Sequence, residues 1–272
     1  KTRLQLVYHV FIMGGIFIIS IFMFAQFFLN KDNAYLQYAA YGICIFLLTE
    51  KIMELNCNIN LISYFIPYYV FYSHNILQLL ACLFYIRFLT SLLEITKREK
   101  AIYLYCSVTQ KLILLGCFLY CSVFFFKENS TIVSIAYNYG TFISTLAMLP
   151  LLILLISFKR KDLAVKFVIA GFSAVVIGAL LVFYINRSGL YTKFNILAPI
   201  SIIEFGIFLE MIFFGLALGY KTHKQKIEKE NIELQKKETE MAALKAQMNP
   251  HFMFNCINSI DAFIQSNDKY NA

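Results

Sequence analysis

Seven apolar segments, each long enough to cross a lipid bilayer as a helix, constrain the fold of this chain most strongly. A spanning helix needs about 20 mostly apolar residues. Of the 272 residues, 60% are hydrophobic, whereas soluble domains average about 45–50%. One soluble core of this size could not bury that much apolar surface. We therefore expect an all-α membrane protein with a seven-transmembrane helix bundle. Its segments are residues 6–29, 35–55, 67–93, 101–126, 131–158, 163–185 and 194–220.

Basic residues collect at one side of the predicted bundle. The short connections force neighbouring helices to run antiparallel, which places 97–100, 159–161, 221–226 and Lys31 together. The other side has fewer basic residues, and cytoplasmic loops are the ones enriched in Lys and Arg. We therefore expect the N-terminus outside and the C-terminus in the cytoplasm. The net charge of +8 lies in short clusters between apolar runs. It indicates a membrane topology and no nucleic-acid partner.

Cysteine usage and the chain ends add little about function. The seven cysteines contain no CxxC pair, and five lie inside apolar segments. They are typical of small packing residues, so we predict neither a disulfide nor a metal site. The N-terminal apolar run is too long for a signal peptide. We expect the natural protein to continue beyond both ends.

Beyond residue 220 the chain becomes charged and follows a heptad pattern. Four apolar residues recur at every seventh position, which is one seam of a coiled coil. The second seam carries the charged residues Glu230 and Lys237 besides Leu244 and His251, so the coiled coil is weak. We predict a cytoplasmic signalling helix in a parallel homodimer. The alternative is a single solvated helix. The four apolar seam residues are Ile227, Leu234, Met241 and Met248.

A histidine directly after a proline follows this helix, in the sequence Gln-Met-Asn-Pro-His-Phe-Met-Phe-Asn at residues 247–255. Pro250 lacks an N–H and its ring clashes with the preceding turn. We expect it to kink the helix and leave His251 reachable. A neutral imidazole is a nucleophile that can accept a phosphoryl group. Asn255 and Asn258 lie on nearby turns and can orient the ring by hydrogen bonding. A structural histidine is the alternative that the residues alone leave open.

Residues 244–260, L-K-A-Q-M-N-P-H-F-M-F-N-C-I-N-S-I, resemble the phosphoacceptor region of LytS/YehU-type sensor histidine kinases. The pattern of that family is L-x-x-Q-x-N-P-H-F-x-F-N-x-L-N-x-I, and the chain departs from it at Ile257. The resemblance implies that His251 is autophosphorylated, with Asn249, Pro250, Asn255 and Asn258 in support. It also implies a homodimer in the bacterial cytoplasmic membrane and a response regulator that receives the phosphoryl group. ATP and Mg²⁺ are implied for a domain expected after Ala272.

The membrane half is similar to the seven-transmembrane receptors with diverse intracellular signalling modules. The similarity rests on the seven segments and on F-Y-I-R-F-L at 84–89 before a basic loop. We therefore expect three regions: a sensor domain at 1–220, a signalling helix at 221–245 and a phosphoacceptor region at 246–272. The predicted function is that of a membrane sensor histidine kinase in a two-component system. The alternatives are a non-enzymatic receptor whose helical tail recruits a cytoplasmic partner, and a transporter or channel.

Charged residues inside the membrane usually face other helices, because charge in hydrocarbon is costly. Lys111 and Glu210 lie at matching depth, so we expect them to pair or to share a wet cavity. The alternative is that Lys111 extends to the inner surface. A second polar set lies nearer the outside and could line a pocket for an unknown ligand, or form ordinary interhelical hydrogen bonds. His9 has no partner identifiable from the sequence. The second set is Glu50, Glu54, His74, Asn75, Gln78, Asn138 and Glu204.

Overall fold

The computed structural model describes residues 2–57, 69–123, 151, 153, 155–156, 162–188, 200–247 and 250–268. Side-chain surroundings are not described for a few of these, including 51–57 and 69–74. Most of the predicted segment 131–158, and the side chains of Glu54, His74 and Asn138, thus lie outside the described part. The described residues form seven helices: α1 Thr2–Asn30, α2 Asn33–Cys57, α3 Tyr69–Leu92, α4 Lys100–Val123, α5 Leu163–Ser188, α6 Ile200–Gln247 and α7 Pro250–Asp268.

Five of these helices, α1, α3, α4, α5 and α6, are long and apolar enough to cross a membrane. Helix α2 is more polar but packs between α1 and α3. Large apolar side chains are exposed along the bundle, such as Phe11 and Ile18 on α1 and Phe183 on α5. A lipid-facing surface has this character, because hydrocarbon solvates apolar side chains. The expected all-α membrane fold is confirmed.

Helix α6 lies against four other helices of the bundle. Its Phe214 packs on the aromatic rings of Tyr85 and Phe88 from α3, with ring centroids 5.5 and 5.2 Å away. Tyr38 of α2 stacks on Phe88 at 4.9 Å and donates a hydrogen bond to the Met211 carbonyl of α6. Tyr8 of α1 donates to the Ser201 carbonyl. The membrane part of α6 is therefore positioned by α1, α2 and α3 together.

Glycines bring the backbones of α5 and α6 close together. A Cβ at Gly206 would lie 3.0 Å from the Ala174 carbonyl oxygen, and one at Gly178 would lie 3.3 Å from that of Ile202. Small residues at such crossings are typical of membrane helices, which gain van der Waals contact by close approach. A Cβ at Gly171 would likewise lie 3.3 Å from the backbone of Glu210. These glycines make α5 the fourth neighbour of α6.

The chain divides into two compact units, Lys1–Lys221 and Thr222–Ala272. Helix α6 begins in the first and ends in the second, without an interruption between Ile200 and Gln247. In the second unit the apolar seam residues are exposed, with exposed fractions of 43% for Ile227, 58% for Leu234 and 59% for Met241. The seam is thus available to a partner helix.

Candidate functional site

His251 lies in the first turn of α7, which starts at Pro250. Proline is favoured at the first helical position, because its missing N–H would have had no intrahelical partner there. Helix α6 ends at Gln247, and Met248 and Asn249 lie outside the described residues. The proline thus coincides with the start of a new helix. The imidazole is exposed.

Asn255 is one helical turn beyond His251 and contacts its ring. The Asn255 amide nitrogen lies 2.8 Å from Nδ1 of His251. Residues four apart share a helix face, so the backbone of α7 sets this contact. Ser259 Oγ donates to the backbone carbonyl of Asn255 at 2.7 Å. The Asn255 amide therefore contacts the Nδ1 edge of the ring.

The other sequence-predicted residues of this site have different placements. Asn258 is exposed and lies two turns beyond His251 on α7, close to the same face. Asn249 is outside the described residues, and Pro250 is described only as the first residue of its helix. The structure thus joins His251 to Asn255 by a hydrogen bond, whereas the roles of Asn249, Pro250 and Asn258 stay predictions.

Helix α7 carries a wide exposed apolar face. The exposed fraction reaches 71% for Phe263 and 67% for Phe254. So many large apolar side chains in the open are typical of a surface that packs on another helix or chain. The site around His251 is therefore surrounded by a contact surface. Its exposed members are Phe252, Met253, Phe254, Ile257, Ile260, Phe263 and Ile264.

Glu210 does not pair with Lys111 in this structure. The buried Glu210 carboxylate accepts hydrogen bonds from two phenols, Tyr41 of α2 at 2.9 Å and Tyr85 of α3 at 3.0 Å. Lys111 is exposed on α4. Two phenol donors satisfy the carboxylate without a cation, which is the physical reason that the expected pair is not formed. Glu210 instead ties α6 to α2 and α3.

His9 has a partner that the sequence did not reveal. Its Nδ1 lies 2.8 Å from Oε2 of Glu204, and both side chains are almost fully buried. Among the described residues, neither ring nitrogen of His9 and neither carboxylate oxygen of Glu204 makes a hydrogen bond, so the contact is a close approach of two buried polar groups. This pair could be recognised only from the fold, because 195 positions separate the two residues along the chain. Glu50 and Asn75, two other members of the second polar set, are also buried.

Lys221, at the end of the first unit, is held by three groups. Its Nζ lies 2.9 Å from Asp32 Oδ2, 2.9 Å from the Ser91 carbonyl oxygen and 3.8 Å from Glu94 Oε1. Asp32 also caps α2 through Oδ1, which accepts from the Ala34 N–H at 2.9 Å. We call Lys221, Asp32, Ser91 and Glu94 the Lys221 clasp. It fastens α6 to the start of α2 and the end of α3.

The fold and these contacts describe a multi-pass helical membrane protein with a helical tail that presents an exposed histidine. A family model described as 7TM diverse intracellular signalling matches residues 5–221, and a model described as histidine kinase matches residues 239–272. The chain belongs to the 7TM diverse intracellular signalling family. No curated protein and no solved structure matches it. The expected fusion of a seven-transmembrane module with a histidine-kinase region is confirmed.

Proposed function

We propose that this protein is a membrane sensor histidine kinase that autophosphorylates on His251 and passes the phosphoryl group to an aspartate of a response regulator. The observation that carries the proposal is the exposed His251 imidazole, oriented by Asn255 within the segment that matches the histidine-kinase model. We further propose Asn249, Pro250, Asn255 and Asn258 as supporting residues. The proposed phosphoryl donor is ATP with Mg²⁺.

The contact with Asn255 supports different roles for the two ring nitrogens. Nδ1 faces the Asn255 amide, so Nε2 is the proposed nucleophile. As placed, the amide nitrogen donates to Nδ1, and the neutral ring then carries its proton on Nε2. A half-turn of the amide presents Oδ1 instead, which accepts from Nδ1–H and leaves the lone pair on Nε2. The Nε2 lone pair forms a bond to the γ-phosphorus of ATP. The bond between that phosphorus and the β–γ bridging oxygen breaks at the same time, and ADP leaves.

The position of His251 at the start of α7 also suits a phosphoryl group. The first backbone N–H groups of a helix have no intrahelical partners, and the helix dipole is positive at this end. Phosphate groups bind at helix N-termini for both reasons. A phosphoryl group on His251 would therefore be stabilised by the backbone of the helix that carries it.

We propose a parallel homodimer through the heptad seam and the α7 face, because both expose apolar side chains in one protomer. The proposed regions are a sensor domain, a signalling helix and a phosphoacceptor region, at 1–220, 221–245 and 246–272. A cue in the bundle shifts α6, and the shift changes the access of His251 to bound ATP. The distribution of basic residues supports a tail on the cytoplasmic side, and the proposed membrane is the bacterial cytoplasmic membrane.

The test uses the whole protein in membranes with labelled ATP and Mg²⁺. Wild type should acquire an acid-labile, alkali-stable label, and His251→Gln should not. The matched control is His223→Gln, which alters the exposed histidine of α6 and should label like wild type. Labelling of His251→Gln at the wild-type level would reject the proposal and favour a non-enzymatic receptor.

A further inference from the structure

A cavity of about 340 Å³ lies between the last turn of α3 and the first turns of α4. Sites for small molecules start near this size, at about 300 Å³. On α4 its wall is formed by residues at the spacing i, i+3, i+4 and i+7, which is one helix face. The described lining residues are Thr90, Ser91, Ile95, Tyr103, Cys106, Ser107 and Gln110.

The wall of this cavity is rich in neutral hydrogen-bonding groups. Thr90, Ser107 and Tyr103 offer hydroxyls, and Gln110 offers an amide. The Thr90 hydroxyl already donates to the Arg87 carbonyl at 2.8 Å and can still accept. The other three groups can both donate and accept, as a ligand with several hydroxyls requires. Ile95 and Cys106 complete the lining with apolar contacts. The lining therefore combines hydrogen-bonding groups with apolar surface, as a ligand with several hydroxyls on a carbon backbone requires.

The loop that forms part of this wall carries exposed positive charge. Lys97, Arg98 and Lys100 are exposed and follow Ile95 directly along the chain. The two acids of the loop are engaged: Glu94 lies 3.8 Å from Lys221, and Glu99 Oε2 accepts from the Thr96 N–H and hydroxyl at 3.0 Å each. The N-terminus of α4 adds a positive dipole end. The loop beside the cavity therefore carries more basic than acidic side chains, which favours an anionic ligand.

We propose that this cavity binds a polyol phosphate ester, either as the headgroup of an anionic phospholipid or as a free glycerol phosphate. Basic pockets between helices at the cytoplasmic side suit anionic headgroups. The placement at that side rests on the orientation proposed above. Ser91 lines the cavity and its carbonyl accepts from Lys221 of α6. An occupant therefore touches a residue of the Lys221 clasp.

Binding is tested without ATP, so its failure is separate from failure of the kinase proposal. The detergent-purified whole protein is titrated with phosphatidylglycerol, phosphatidylcholine or glycerol 1-phosphate, and bound ligand is counted by native mass spectrometry. Phosphatidylglycerol should bind more tightly than phosphatidylcholine. The double variant Lys97→Gln/Arg98→Gln should lose about fivefold in affinity for each charge removed. Gln110→Leu, which fills the wall, should weaken binding as well.

The control double variant Lys229→Gln/Lys237→Gln removes the same charge from exposed positions of α6. It should bind phosphatidylglycerol like wild type. Binding of glycerol 1-phosphate that competes with the lipid would support the site and assign it a soluble ligand, whereas binding of the lipid alone would assign the membrane. Equal binding of phosphatidylglycerol by wild type and both site variants would overturn the proposal. If Gln110→Leu fails to fold, the variant Lys97→Gln/Arg98→Gln alone decides the test, because it changes only exposed side chains.

Discussion

His251 and Asn255 form the contact on which the proposed chemistry depends at the scale of single residues. The structure sets their separation at 2.8 Å through the backbone of one helix. The sequence could predict this pair, because both residues lie on the same helix four positions apart. It could not predict His9 with Glu204, or the two phenols on Glu210, because those contacts cross between helices distant in sequence.

Asn255→Ala removes the group that orients the imidazole. We expect initial autophosphorylation to fall about fivefold, since one neutral hydrogen bond contributes about 1 kcal/mol. Asn255→Asp keeps an acceptor for Nδ1–H and should retain most of the rate. The control Gln265→Ala alters an exposed amide farther along α7. If the Ala and Asp variants were equally slow, Asn255 would contribute to the structure of α7 and not to the orientation of the imidazole.

Tyr85→Phe removes one of the two donors to the buried Glu210 carboxylate. A buried acceptor that loses a partner costs about 1–3 kcal/mol. We expect a lower melting temperature for the variant in detergent, measured by thermal unfolding of the bundle. Tyr184→Phe is the matched control, because Tyr184 is 62% exposed on α5. Equal melting temperatures for the two variants would contradict the role of the Tyr85–Glu210 bond.

The apolar pattern located the helices well at the scale of elements. The segments predicted at 6–29, 35–55 and 163–185 correspond to α1, α2 and α5. The sequence did not predict that the last membrane helix continues to Gln247. The change from apolar to charged residues shows where the helix leaves the membrane, but it does not show whether the helix ends there. It also did not predict the α5–α6 crossing, since a glycine in a helix reveals its packing partner only in the fold.

Gly206→Leu tests the crossing between α5 and α6. The first side-chain carbon alone would lie 3.0 Å from the Ala174 carbonyl oxygen, so the helices must separate. We expect overpacking to cost about 1–3 kcal/mol and to lower the melting temperature. Gly219→Leu is the control on the same helix, because a Cβ there meets nothing within 4 Å. Similar melting temperatures would show that the close crossing does not limit stability.

The whole molecule places a membrane bundle and a histidine on one chain, joined by α6. The sequence alone predicted this plan from composition, heptads and the motif at 244–260. The Lys221 clasp could not be predicted from the sequence, because a lysine that follows a membrane helix is usually exposed and its three partners are distant along the chain. The clasp lies where the first unit ends, and a shift of α6 would strain it together with the hydrogen bonds of Glu210.

Cysteine crosslinking tests the proposed parallel homodimer in membranes. In a Cys256→Ser background, Leu234→Cys should form a disulfide-linked dimer under mild oxidation, because identical seam positions face each other across a parallel coiled coil. Lys236→Cys should crosslink far less, since its exposed position lies off the seam. Gel electrophoresis without reductant measures the fraction of crosslinked dimer for both variants. Equal crosslinking at the two positions would contradict the heptad seam.

Phosphosite mapping tests the central claim most directly. The whole protein in membranes is incubated with ATP and Mg²⁺, digested under alkaline conditions and analysed by mass spectrometry with isomer-specific detection of phosphohistidine. We predict one phosphoryl group on Nε2 of His251, absent from His251→Gln. A phosphoryl group on a different residue, or none on His251 while the label is present, would contradict the account.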